Sequence, residues 1–228
     1  MDKPNLKDYK PLKVLLTGAT GMVGSGVLIE CLESDDVSQV VAVGRRSCGV
    51  KHPKLTEIIH KDFLDYSSIE GSFAGCDACF YCLGVTSLRA TEAEYTRVTL
   101  DYTLKFAEEC KRQSPEMTFC YVSGAGVDST RQNGLMWVRV KGRTEKGILE
   151  MGFKRAYCFR PGFIQPMKGV KPSWNFYKFT GFLYPLLKKL PKYVCSTEEV
   201  GLAMIRTALR GASASTLESR DIVDLARR

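Results

Sequence analysis

The stretch Thr17-Gly-Ala-Thr-Gly-Met-Val-Gly24 follows directly on the apolar run 14–16 and opens a segment of helical period. A strand that passes through a glycine turn into a helix leaves few architectures open. Gly18 can make the sharp exit from the strand, Gly21 leaves room for close backbone approach, and Gly24 allows the helix to pack tightly on the strand. The helix N-terminus then offers N–H groups and the positive end of its dipole to an anion. This pattern predicts the pyrophosphate turn of a dinucleotide site, with Gly18, Thr20, Gly21, Met22 and Val23 around the phosphates.

The rest of the chain agrees with that start. Short apolar runs at 13–17, 39–44, 56–60, 77–82, 118–122 and 156–159 read as strands, several of them too apolar to face water on either side. Between them, helical periods fall at 22–34, weakly at 66–72, at 92–112 and at 135–151, and a further one at 197–209. Alternation of this kind predicts an α/β fold with a doubly wound parallel sheet. At 228 residues and 44% hydrophobic content the chain has one sizeable core, so a single domain spanning 1–228 is expected. After position 159 the pattern changes to a Pro- and Gly-rich loop and the aromatic stretch 174–190, so 163–228 is expected to form a small C-terminal lid and substrate region. In such sheets ligands bind beyond the carboxyl ends of the strands.

The second run ends Val43-Gly-Arg-Arg46. Proteins selective for NAD usually carry an acidic side chain here to hold the adenosine ribose, whereas arginine favours the extra 2′-phosphate of NADP. Arg45 and Arg46 therefore point to NADP(H) over NAD, although one of the two can equally be solvated. After the third run, Asp62 stands where it can accept from the adenine amino group, with Phe63 beside it on the cofactor. Asp65, the second acid of that run, reads as a helix cap.

Composition narrows the remaining classes. The charge of +8 is scattered and shows no basic run interleaved with stacking aromatics, so a solvated basic surface is expected and nucleic acid is not. No stretch approaches the roughly 20 apolar residues of a membrane span, and no cationic-apolar leader opens the sequence, so a cytoplasmic location is expected. The nine cysteines read as small core residues rather than disulfides. Cys76, Cys79 and Cys82 have a metal-like spacing, but they read as an extended buried strand whose positions three apart point to opposite faces. No second Cys/His pair with zinc spacing accompanies them, so metal is not expected.

Taken in order, Thr-Gly-Ala-Thr-Gly at 17–21, Gly-Arg-Arg at 44–46, Asp62, Cys-Leu-Gly at 82–84, Val-Ser at 122–123, Val-Lys-Gly at 140–142 and Phe-Arg-Pro-Gly at 159–162 resemble the short-chain dehydrogenase/reductase superfamily. The resemblance is closer to its atypical branch, which contains the Tat-interacting-protein-like oxidoreductases, and it spans nearly the whole chain. It implies a Rossmann fold in which Cys82, Leu83 and Gly84 line the adenosine side while Pro161, Gly162 and Ile164 approach the nicotinamide. It also implies that Ser123 hydrogen-bonds a substrate carbonyl or hydroxyl. The family's lysine, here Lys141, binds the nicotinamide ribose and lowers the pKa of a tyrosine four residues earlier, the general acid/base.

Position 137 is tryptophan. An indole N–H donates a hydrogen bond but does not shuttle a proton near neutral pH, so the family mechanism is interrupted at its proton step. Tyr95, Tyr102 and Tyr121 are substitute candidates that no motif places. The family's structural asparagine is also missing, since Val98 is followed by Thr99. Two readings stay open: an NADPH-dependent oxidoreductase acting on a small carbonyl or alcohol with an altered proton source, and a non-catalytic NADP(H)-binding module that engages a protein partner. Ser123 can also simply cap a turn. The stretch 174–190 is read as a lid or core-packing helix rather than an interfacial membrane helix, because Pro172, Pro185 and Pro191 interrupt its pattern.

Overall fold

The computed structural model describes residues 10–88, 90–128, 134–170 and 193–227. Its first half is built from β1 (Leu12–Thr17), α1 (Met22–Glu33), β2 (Val37–Gly44), β3 (Leu55–Ile59) and β4 (Ala78–Tyr81). The second half adds α2 (Glu92–Thr96), α3 (Tyr102–Gln113), β5 (Thr118–Val122), α4 (Met136–Glu150), β6 (Arg155–Arg160), β7 (Phe163–Gln165) and β8 (Val194–Ser196). The chain ends with α5 (Thr197–Arg210), β9 (Thr216–Glu218) and α6 (Ser219–Arg227).

Seven strands form one parallel sheet in the order β3-β2-β1-β4-β5-β6-β9. The doubly wound expectation holds, and its reason is burial on both faces. Alternate residues of each central strand enter two separate cores: Val14, Leu16 and Phe80 pack with α1 and α5, whereas Leu15, Tyr81 and Phe119 pack with Phe106 of α3 and Ile148 of α4. The strand order reverses between β1 and β4, which opens a crevice at their carboxyl ends.

Four expectations change in detail. The stretch 92–112 is not one helix, because a π-helical turn at Arg97–Asp101 separates α2 from α3. There the Thr99 carbonyl leaves the ordinary ladder and accepts from Thr103 Oγ1 at 2.7 Å and Thr144 Oγ1 at 3.2 Å. The weak helix at 66–72 is a 3₁₀ turn, Ser67–Ser72. Cys76 precedes β4 instead of lying in it, so it shares a core with Cys79, while Cys82 faces the other side of the sheet. Finally, β7, β8, β9 and α6 add to the C-terminal region, with β7 and β8 paired in a small parallel ladder. The stretch 174–190 lies outside the described residues, so its reading as a lid is not addressed. Among the described residues, no helix is long and apolar enough to cross a membrane, and no cluster of His, Cys, Asp and Glu could hold a metal ion.

Candidate active site

The glycine turn is built as tightly as its spacing suggests. Gly18 has φ +72°, and a Cβ there would lie 2.5 Å from the Cys82 carbonyl oxygen at the end of β4. A Cβ on Gly24 would lie 2.2 Å from the Gly18 oxygen. Between them, the Gly21 N–H donates to the Gly18 carbonyl at 2.8 Å, and Gly21 is the N-cap of α1 without any side-chain cap. The first turn of α1 carries no acidic residue. A bare N-terminus with a positive dipole end and no carboxylate suits a phosphate group.

Beside this turn is a cavity of about 340 Å³. Gly18 and Thr20 form one wall, Val43, Arg45 and Arg46 a second, and Phe63 and Leu83 a third. Both arginines are exposed, so their guanidinium groups can reach a ligand at the mouth. Leu83 is held over β1 by its N–H, which donates to Thr17 Oγ1 at 3.3 Å. Gly84, next in the chain, is exposed. Phe63 is nearly inaccessible at 2% exposure and stacks obliquely against Tyr102 with ring centroids 5.8 Å apart. The loop that presents Phe63 is pinned by His60, whose Nε2 lies 2.6 Å from the Asp62 oxygen and 2.8 Å from the Asp65 oxygen.

Two residues of this wall were not anticipated. Glu57 of β3 accepts from the Cys48 N–H at 2.6 Å and from Ser47 Oγ at 2.8 Å, which closes the loop carrying Arg45 and Arg46. Burial pushes its carboxyl up, but the hydrogen bonds from Cys48 and Ser47 outweigh it and hold the group below the ordinary value. Cys48 also lines the cavity. The clue in the sequence is the one acid of a short edge strand, which alone does not say what it faces. Asp62 is exposed; its Oδ1 accepts from the Leu64 N–H at 3.0 Å, and it is absent from the cavity wall. Asp65 Oδ1 accepts from the Ser67 N–H at 2.9 Å, an Asx turn just before the 3₁₀ helix, whose N-cap is Tyr66 without a side-chain cap, so the expected helix cap is not formed.

The other expected residues gather at the ends of β5 and β6. Ser123 is 6% exposed, its N–H donates to the Phe159 oxygen at 2.7 Å, and its Oγ is buried with no hydrogen-bond partner. Lys141, one turn into α4, donates from Nζ to the carbonyl oxygens of Val122 at 3.1 Å and Ser123 at 3.0 Å. Its ammonium lies 5.3 Å above the centre of the Tyr121 ring, and burial lowers its pKa to about 8. Trp137 is half-buried, and a Cβ on Gly124 would lie 3.6 Å from its Cζ3. The Pro161 carbonyl accepts from the Ala125 N–H at 3.0 Å. Gly162 donates its N–H to Ser219 Oγ at 2.8 Å, and a Cβ there would lie 2.4 Å from the Tyr193 oxygen. Ile164 is buried in the core on the α1 side of the sheet.

The three candidate tyrosines differ in their surroundings. Tyr121 is buried in the α3/α4 core with an unpartnered hydroxyl, and burial raises its pKa well above the ordinary range. Tyr95 is also buried and raised. Tyr102 packs on Phe63 near the cavity, with Arg97 5.7 Å from its ring centre.

Comparison with known proteins fits this geometry. The sequence profile of the NAD dependent epimerase/dehydratase family matches residues 14–131. Protein HTATIP2 of Rattus norvegicus is 30% identical over 175 residues, 75% of this chain and 71% of that protein. The Saccharomyces cerevisiae protein FMP52, mitochondrial, is 26% identical over 226 residues, 92% of this chain and 95% of that one. Among solved structures, the Bordetella bronchiseptica enzyme WbmF in complex with NAD+ superposes with a TM-score of 0.69 at 17% identity, covering 96% of this chain and 77% of the other; that likeness speaks for the fold. The glycine turn, the strand order and the matched profile coincide on the same half of the chain, which belongs to the NAD dependent epimerase/dehydratase family and is an atypical member of the short-chain dehydrogenase/reductases.

Proposed function

We propose that this chain binds NADP(H) along the carboxyl edge of its sheet and acts as an oxidoreductase on a small carbonyl or alcohol, with a proton step altered by Trp137. The observation that carries the reading is the buried, unpartnered Ser123 Oγ, held beside Lys141 at the end of β5. A buried hydroxyl without a partner is costly unless something else satisfies it, and a substrate oxygen does so.

In this reading Gly18, Thr20, Gly21, Met22 and Val23 hold the pyrophosphate, Arg45 and Arg46 the 2′-phosphate, and Phe63, Cys82, Leu83 and Gly84 the adenosine. Asp62, exposed beside the cavity, would offer the adenine amino group the carboxylate oxygen that Leu64 does not use. Lys141 keeps one of its three N–H groups for the nicotinamide ribose, and Pro161, Gly162 and Ile164 wall the nicotinamide. The cofactor supplies or accepts the hydride. Ser123 donates to the substrate oxygen, and the proton comes from water or from a group other than residue 137, because Trp137 only donates a hydrogen bond. The chain works as one domain, to which 163–170 and 193–227 add β7, β8, α5, β9 and α6.

A second reading, a non-catalytic NADP(H) module that engages a protein partner, is favoured by the indole of Trp137, four residues before Lys141, whose ring lies near Gly124. Hydride transfer from NADPH across a panel of carbonyls, comparing the natural chain with Trp137→Tyr, separates the two. The oxidoreductase reading expects slow turnover that the tyrosine raises by about 10²- to 10⁴-fold, the usual worth of a positioned acid/base. Silence in both variants, with cofactor bound, would leave the module. A cytoplasmic location is retained; the relatives named as mitochondrial make import the competing outcome of localising the tagged chain in cells.

A further inference from the structure

The nicotinamide side of the site is fastened through one buried ion pair. Arg160, the last residue of β6, donates from Nε to Glu145 Oε1 at 2.9 Å and from its terminal nitrogen to Oε2 at 2.5 Å, and reaches Glu218 at 3.3 Å. The Glu145 side chain is 1% exposed and that of Arg160 15%. A bidentate pair of this kind fixes orientation as well as distance. Arg160 leads directly into Pro161 and Gly162, and Glu145 follows Lys141 on α4 by four residues, on the same helix face. Glu145 thus ties α4, the helix that carries Lys141, to the loop at Pro161 and Gly162, the two parts that the site reading places around the nicotinamide ribose.

We propose that Glu145 is a positioning residue for this half of the site, fixing the segment 160–162 through Arg160 and, from the same face of α4, orienting Lys141 for the cofactor ribose. The role of the ribose rests on the function proposed above; the hold of Glu145 on Lys141 does not. The groups around Lys141 are Glu145 on its own helix, the Tyr121 ring on β5, and Cys158 on β6. Burial drives the ammonium towards its neutral form, with a pKa of about 8, and the negative field of Glu145 opposes that fall. Arg160 in turn neutralises part of that field. Removing one member of the pair or the other is therefore expected to move Lys141 in opposite directions, which a merely structural ion pair does not require.

The test uses the full chain labelled with ¹³C-lysine, following the Lys141 Cε resonance, assigned by its loss in Lys141→Arg, across pH 6 to 10, roughly two units either side of the lysine midpoint. The natural chain should titrate near pH 8, Glu145→Gln at lower pH, and Arg160→Gln at higher pH. NADPH affinity in Glu145→Gln should fall about ten-fold at pH 8 and less at pH 6, where the ammonium survives. If Glu145→Gln does not fold, Arg160→Gln decides alone: a rise supports the proposal, and a fall or no change overturns it. Midpoints that stay fixed, or that move the same way in both variants, overturn the role of Glu145 even if NADPH binds. Failure of the natural chain to bind NADPH or NADH, with midpoints that move as stated, overturns Lys141 as ribose ligand and leaves its coupling to Glu145 standing.

Discussion

A methyl group on Gly24 would lie 2.2 Å from the carbonyl oxygen of Gly18, closer than any tolerated contact, and the atom it meets is backbone. The two glycines are therefore one device: Gly18 bends the chain out of β1, and Gly24 lets α1 settle on the bend. Gly24→Ala and Gly18→Ala are expected to lose about 1–3 kcal/mol or more, the usual cost of forcing volume into a packed site, with Gly18→Ala further strained by its positive φ. Gly21→Ala should lose less stability than either, because its nearest contact, the Gly18 oxygen, would be 3.2 Å away, and bind dinucleotide more weakly. Thermal unfolding and fluorescence titration of the three variants check this split.

Arg45 and Arg46 carry the proposed preference for the phosphorylated cofactor. Each charge-assisted contact to a phosphate is worth about 1.5–3 kcal/mol when desolvated, and less at these exposed positions. Replacing either with alanine should weaken NADPH by about ten-fold while leaving NADH nearly unchanged. Glu57→Gln is expected to weaken NADPH as well, by releasing the loop that Cys48 and Ser47 close. Because the folded Glu57 carboxyl is held below its unfolded value, its contribution is present above the unfolded pKa and is lost as pH falls through the folded one. Isothermal titration at neutral and acidic pH reads both effects.

Ser123 offers a cleaner functional test than most buried polar residues. Its Oγ has no partner to lose, so Ser123→Ala should leave the melting temperature unchanged or slightly raised. Turnover with a carbonyl substrate should fall by about ten-fold or more, since one hydrogen bond to the reacting oxygen disappears. A large drop in stability would mean that the hydroxyl is structural.

Glu30 makes a prediction far from the cofactor. It lies at 8% exposure where α5 crosses α1, and a Cβ on Gly201 would come within 2.6 Å of its Cγ. Burial, together with the charges of Glu198 and Glu33, raises its pKa from 4.5 to about 7. A carboxyl raised on folding costs nothing below its unfolded pKa and destabilises progressively as pH rises towards the folded value. Glu30→Gln should therefore raise the melting temperature at pH 8 and leave it unchanged at pH 4; equal shifts at both would contradict the ionisation.

How much of this was legible depends on how local the cause is. The strand, the glycine turn and α1 are contiguous in sequence, so their period and spacing identify them, and the two-sided burial of β1, β4 and β5 leaves its mark as unbroken apolar runs. The π-helical turn at Arg97–Asp101 was invisible because Thr144, 45 residues away from Thr99, helps to satisfy its carbonyl. Strands of three residues such as Thr216–Glu218 are too short to show a period. Glu145 and Glu57 escaped for a related reason: each is an ordinary acid in sequence, and only the folded chain brings Arg160 to one and the Cys48 amide to the other.

The central claim is that the carboxyl edge of this sheet is an NADP(H) site, and direct titration of the natural chain with NADPH and with NADH tests it. The account predicts saturable binding of NADPH at least about ten-fold tighter than NADH, as expected for one added phosphate facing two arginines. Equal affinities would contradict the role of Arg45 and Arg46, and binding of neither would contradict the cofactor site itself.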